Sequence, residues 1–271
     1  MSAKTPRHEI TLKKLVLDLA GTEAVTVRRD VEYGVTTAGP LVMDLYYPPA
    51  AASGSRLPAV VIVGGYPDVG VPLVLGCTFK EMEFCIGYAR LIAESAMVAI
   101  VGTSQDPATD VQTMLRSVRQ HAAPLGIDEQ RIGLFAASGA GPNALSLLMS
   151  AAGKDLKCAV LSNAYVLDLD GATGVAESAA KWRFVNPSAG KSVNDLPQDA
   201  PLFVARSGRD EMPYLNEALD RFVGKALARN LPITIVNHAE ATHAFDVFHD
   251  SDASREIIRQ WLAFLRFHLQ R

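Results

Sequence analysis

Short apolar runs recur along the chain with little polar interruption: Ala59–Val63, Met97–Val101, Arg131–Phe135, Ala159–Leu161, Leu202–Ala205 and Ile233–Val236. A continuous run of this length suits a strand covered on both faces, as in a parallel sheet. Helix-like segments separate the runs, at Phe84–Ser95, Ala108–Ala122, Asn143–Ala152 and Leu215–Arg229, and Ser254–His268 closes the series. This alternation predicts an α/β fold, a doubly wound and mostly parallel sheet of about eight strands with right-handed crossovers. Ala24–Glu32 and Leu41–Tyr47 instead alternate apolar and polar residues, which predicts an antiparallel hairpin at the N-terminal edge. Pro48-Pro49 and Ala50–Arg56 read as a loop, and Asp128 as part of a turn into the strand near Ile132. Residues 163–200 break the rhythm with Gly, Ala, Ser, Asp and Asn around Trp182-Arg183-Phe184. A long insertion after a strand's C-terminal end is a candidate lid within one domain spanning 1–271.

Composition narrows the function classes. A net charge of −3 with scattered Lys and Arg offers no basic stripe for nucleic acid. The apolar runs are too short to span a bilayer. Charges throughout residues 1–30 leave no signal peptide as written. Cys77, Cys85 and Cys158 lack metal or redox spacing and read as buried packing residues in a cytoplasmic setting. HExxH is absent and the histidines are poorly spaced for zinc, so no metal and no cofactor are expected. The expected partner is a small-molecule substrate, with no nucleic acid or membrane, acting on a monomer or homodimer.

One apolar run ends in a cluster of small residues around a serine: Arg131-Ile-Gly-Leu-Phe-Ala-Ala-Ser-Gly-Ala-Gly-Pro-Asn-Ala-Leu145. Strand, tight turn and helix in immediate succession would present Ser138 at the tip of a strained turn. A serine needs a base and an orienting acid to act as a nucleophile at neutral pH. Pro201-Leu-Phe-Val-Ala-Arg-Ser-Gly-Arg-Asp210 ends a strand in a turn signal and then supplies Asp210, with Glu211 and Asp199 as competitors. Asp210 equally suits a helix cap before Pro213. After Ile233–Val236, His243 lies on a loop from which it could reach Ser138, whereas His238 sits nearer the strand and reads as packed or solvated. The order Ser…Asp…His, each residue following its own strand, brings all three to the C-terminal edge of one sheet, where open α/β sheets hold their active sites.

With these residues in view, the chain resembles the α/β-hydrolases, and is similar to the dienelactone-hydrolase-like and acyl-esterase branches. The matching pieces are Val61-Ile-Val-Gly-Gly-Tyr66, Phe135-Ala-Ala-Ser-Gly-Ala-Gly141, Ser207-Gly-Arg-Asp210 and Thr242-His-Ala-Phe-Asp246, spread over roughly residues 25–268. The resemblance implies Ser138 as nucleophile, His243 as general base and then acid, and Asp210 as orienter of the imidazole. It also implies an oxyanion hole of backbone N–H groups, from Gly139 and from Gly65 or Tyr66. The implied activity is a serine hydrolase cleaving a small carboxylic ester through an acyl-enzyme. A thioesterase, a small peptidase or acyltransferase, and a non-catalytic ligand-binding homologue stand as alternatives.

Two departures from the family pattern bear on activity. Ala136 and Ala140 stand at both glycine positions of Gly-x-Ser-x-Gly, which is tolerable where φ stays negative. Dienelactone hydrolases proper use a cysteine nucleophile, where this chain has Ser138. The 163–200 segment and the loop Pro67–Lys80 would frame the pockets, with Tyr66, Trp182 and Phe245 as candidate substrate-binding walls.

Overall fold

The computed structural model describes residues 5–18, 24–49 and 56–270, so the loop expected at Ala50–Arg56 lies outside the described residues except for Arg56. Eight strands form one sheet: β1 (Thr26–Thr36), β2 (Gly39–Tyr47), β3 (Leu57–Ile62), β4 (Val98–Gly102), β5 (Ile127–Ala137), β6 (Ala159–Ser162), β7 (Leu202–Ser207) and β8 (Ile233–His238). Their order is β1-β2-β4-β3-β5-β6-β7-β8. β1 pairs antiparallel with β2, and β2 antiparallel with β4. Every other pairing is parallel, from β4 and β3 through to β8. This is the α/β-hydrolase fold, with the antiparallel hairpin at the N-terminal edge.

The helices are α1 (Val71–Leu75), α2 (Glu83–Glu94), α3 (Pro107–Gln120), α4 (Gly141–Leu148), α5 (Gly174–Trp182), α6 (Leu215–Ala228), α7 (Phe245–Phe248) and α8 (Asp252–Leu269). Alternate strand residues feed two separate apolar layers. Ala59, Val61, Ile132 and Leu134 face α3, α4 and α6. Val60, Ile62 and Phe135 face α2 and α8. A strand that fills both layers has no polar face, which is why the central runs are continuously apolar. The α8 stripe of Ile257, Ile258, Trp261, Leu262, Leu265 and Leu269 is buried in the second layer. Among the described residues no helix is long and apolar enough to cross a membrane.

The structure departs from the sequence reading at three places. β5 begins at Ile127, not near Ile132, and Asp128 sits in an irregularity between the pairs Leu57↔Ile127 and Ala59↔Ile132. There its carboxylate accepts from the Gln130 N–H and from Arg131 Nε. β8 is an open edge with its middle exposed, so its apolar run is not covered on both faces. The helices α1, α5 and α7 are additional; each is short, and five of the nine residues of α5 are Gly, Ala or Ser. Within the 163–200 segment, Tyr165, Leu167, Val175, Phe184 and Val193 belong to the first apolar layer. All three cysteines are free thiols and buried. Burial pushes the Cys158 thiol up to about 12 and Cys85 well above the usual range.

Candidate active site

The C-terminal ends of the parallel strands converge on one crevice. β5 delivers Ser138 through an abrupt turn: Ala137 is extended, Ser138 has φ 52°, and a 3-10 turn leads directly into α4. The positive φ is the strained conformation that exposes a side chain at the tip of a strand. The alanines at the family's glycine positions fit without strain. Ala136 lies inside β5 and Ala140 has φ −82°. The close approach falls one residue later, where a Cβ on Gly141 would lie 2.0 Å from the Tyr165 carbonyl oxygen.

Ser138 Oγ lies 2.8 Å from His243 Nε2, and His243 Nδ1 lies 2.8 Å from Asp210 Oδ2. The Asp210 carboxylate is fully buried, whereas the imidazole is 23% exposed. Asp210 Oδ1 also accepts from the Met212 N–H, so the residue fixes its own turn while it faces the histidine. Glu211 and Asp199 are exposed and take no part in this row. The loops after β7 and β8 are tied together by Gly208 N–H to the His238 carbonyl and Arg209 N–H to the Ala241 carbonyl. His238 is packed, between Phe245 and His249, with its Nε2 near Ser251 and Ser254.

The loop after β3 presses against this turn. A Cβ on Gly65 would lie 2.3 Å from the Gly139 carbonyl oxygen. The Gly64 carbonyl accepts from Asn143 Nδ2 at 2.9 Å, and the Gly65 carbonyl from the Val185 N–H at 2.8 Å. A trans peptide points its N–H opposite to its carbonyl, so these two bonds turn the N–H groups of Gly65 and Tyr66 the other way. Among the described residues, those groups and the Gly139 N–H make none of the loop or cap hydrogen bonds. The Tyr66 hydroxyl hangs over the same point, 2.8 Å from where a Cβ on Gly139 would stand. Burial raises the Tyr66 phenol to about 12, so it keeps its proton at neutral pH.

A cavity of about 300 Å³ opens beside Ser138, walled by Ile62, Tyr66, Phe79, Phe84, Tyr88 and Phe248 among others. Of the three expected walls, Tyr66 lines this cavity and Trp182 lines an adjoining groove. Phe245 does not: it is fully buried in the second layer, and Phe248, one turn further along α7, borders the cavity in its place. Behind the histidine loop lies a polar cluster that sequence reasoning missed. Asp246 is 1% exposed, and its Oδ2 accepts from the Tyr88 hydroxyl at 2.6 Å and the Ser162 hydroxyl at 3.3 Å. Asn163 Oδ1 accepts from the Ala244 N–H. No sequence signal marks these residues except that Ser162-Asn163 ends a strand and Asp246 follows the histidine closely. Among the described residues no group of three or more His, Cys, Asp or Glu gathers to hold a metal.

No protein-family model matches the chain, and no curated protein matches it in sequence. Solved structures do. A thermophilic esterase of the planctomycete Thermogutta terrifontis is 19% identical, with 92% of this chain and 95% of that chain covered and a TM-score of 0.64. A bacterial heroin esterase is 14% identical, over 94% and 88% of the two chains, with a TM-score of 0.71. A thermostable carboxylesterase cloned from a metagenomic library is 22% identical, over 92% and 93%, with a TM-score of 0.66. At these identities the likeness establishes the α/β-hydrolase fold over nearly the whole chain.

Proposed function

We propose that the chain is a serine hydrolase that cleaves a small carboxylic ester through an acyl-enzyme. The observation that carries this is the unbroken row Ser138 Oγ–His243 Nε2–Asp210, with 2.8 Å at each step, at the tip of a strained turn. In this reading His243 Nε2 takes the Ser138 proton as Oγ bonds to the ester carbonyl carbon. The carbonyl oxygen becomes an oxyanion, held by the N–H of Gly139 and of Gly65 or Tyr66, with the Tyr66 hydroxyl as a further donor. The carbon–oxygen bond to the alcohol then breaks, and the imidazolium returns its proton to the departing oxygen. A water molecule repeats the sequence and frees the acid. Asp210 holds the imidazole in the tautomer that accepts at Nε2 and stabilises its charged form.

That the three structural neighbours are named as esterases supports an ester over an amide or thioester. Another structure of the Thermogutta terrifontis esterase has propionate bound, which supports a short acyl group.

The test is p-nitrophenyl acetate hydrolysis together with fluorophosphonate labelling. The native protein is expected to show a burst and to take the label at Ser138. Ser138→Ala is expected to lose both, with a fall in kcat of roughly 10⁴-fold or more, the scale found when a triad member is removed. Undiminished hydrolysis by Ser138→Ala sinks the reading, and a native protein that takes no label at Ser138 favours a ligand-binding role.

A further inference from the structure

His243 stands between two recesses that differ in what they touch. The first is the 300 Å³ cavity, which borders Ser138, Gly65 and Ala140 as well as the imidazole. The second is an open groove of about 530 Å³ that adjoins the cavity at His243 and Phe248 and is formed by Trp182, Met212, Pro213, Thr242 and Phe248. This groove borders His243 but neither Ser138 nor the loop at 64–66. Its two aromatic walls are unusually open to solvent, Trp182 at 42% and Phe248 at 52%. Its rim carries one charge of each sign, Lys181 and Glu211, so it favours neither a cation nor an anion.

The acyl-enzyme chemistry separates the substrate along the same line. During acylation the carbonyl carbon stays bonded to Ser138 Oγ, so the acyl group must lie in a recess that borders the serine. The alcohol oxygen receives its proton from His243 Nε2 and leaves, so the alcohol must lie beside the imidazole. We propose that the enclosed cavity is the acyl site and that the Trp182–Phe248 groove is the leaving-group site. The substrate class is then an ester of a compact acyl group with an uncharged aromatic alcohol. The cavity is the less open of the two recesses, so its walls bound the acyl group. The groove has no such bound, being open, and the aromatic side chains Trp182 and Phe248 border it, with Lys181 Nζ 5.0 Å from the Trp182 ring centroid. This inference rests on the serine-hydrolase reading.

The experiment compares 2-naphthyl acetate with ethyl acetate, two esters that share an acyl group and differ only in the alcohol. Trp182 is the residue to change, because it borders the groove and not the cavity. Trp182→Ala and Trp182→Leu are expected to lower kcat/KM for 2-naphthyl acetate by about three- to tenfold, the scale of one lost aromatic pairing. The loss on ethyl acetate is expected to be several-fold smaller, and Trp182→Phe to restore most of the difference between the two esters. The hydrolysis rate of the isolated acetyl-enzyme should not change, because the alcohol has already gone. The ratio between the two esters is internal to each variant, so a partly misfolded preparation does not disturb it. Equal losses on both esters, or slower hydrolysis of the acetyl-enzyme, overturn the groove assignment. Absence of an acetyl adduct on Ser138 by mass spectrometry overturns the serine-hydrolase reading itself, so the two failures are told apart.

Discussion

Three non-glycine residues around the crevice hold a left-handed backbone: Ser138 at φ 52°, Asn163 at 37° and Ala244 at 53°. Each such residue costs on the order of 1–3 kcal/mol and persists only where its surroundings fix it. Here each is held by a hydrogen bond. The Tyr165 N–H donates to the Ser138 carbonyl, the Asn163 N–H to the Ala205 carbonyl, and the Ala244 N–H to Asn163 Oδ1. Beneath them, Asp246 is fully buried, and burial outweighs its hydrogen bond from Tyr88, raising its carboxyl above the ordinary 3.8. In the pH range just above 3.8 the folded protein therefore holds a proton that the unfolded chain has lost, and stability falls as pH rises through that range. Asp246→Asn removes this dependence. Its melting temperature relative to the native protein is expected to climb between pH 4 and pH 7, as thermal melts at the two values would record. A constant difference would mean that Asp246 ionises as freely in the folded chain as in the unfolded one.

At the scale of elements, the 163–200 segment braces the loop after β3. Phe184 stacks on Tyr165 with centroids 4.9 Å apart and meets Tyr66 edge-on at 6.2 Å. The next residue, Val185, holds the Gly65 carbonyl. Phe184→Ala is expected to cost about 3–5 kcal/mol in urea melts and to lower kcat as well, because the loop after β3 loses its brace. Unchanged kcat would show that the loop keeps its place without this brace. Most of the elements that position the crevice are legible in the sequence, because β3, β4, β5 and β7 fill two apolar layers and so read as unbroken runs. Ser138 and Asp210 are legible because each follows such a run, and His243 because it follows the apolar stretch of the edge strand β8. Asn143, Asn163 and Asp246 are not, since their meaning lies in distant contacts: Asn143 serves Gly64, 79 residues away. Phe245 and Phe248 share one short helix, and nothing in their spacing tells which faces the cavity. β8 misleads because an edge strand of Ile, Val and Thr reads like a central one.

Across the whole molecule, the second apolar layer reaches the cavity through Ile62, Tyr88 and Phe135, whereas Trp261 packs against Tyr88 and Phe135 without lining it. Trp261 on α8 is fully buried, packed 4.9 Å from Phe135. Trp261→Ala is expected to remove about 3–5 kcal/mol while leaving kcat unchanged at 25 °C for the folded fraction, which chemical denaturation and steady-state kinetics would check together. A matching fall in kcat would mean that the layer is mechanically coupled to the turn at Ser138. The three thiols sample different parts of this architecture. Cys77 and Cys85 share a small cluster with Met82 near α2, whereas Cys158 lies at the entry to β6 beneath Gly133 and Leu269. A sulfhydryl reagent therefore meets the native protein as an almost unreactive surface. Whichever cysteine it reaches first reports which region opened, so the chain carries its own map of where it comes apart.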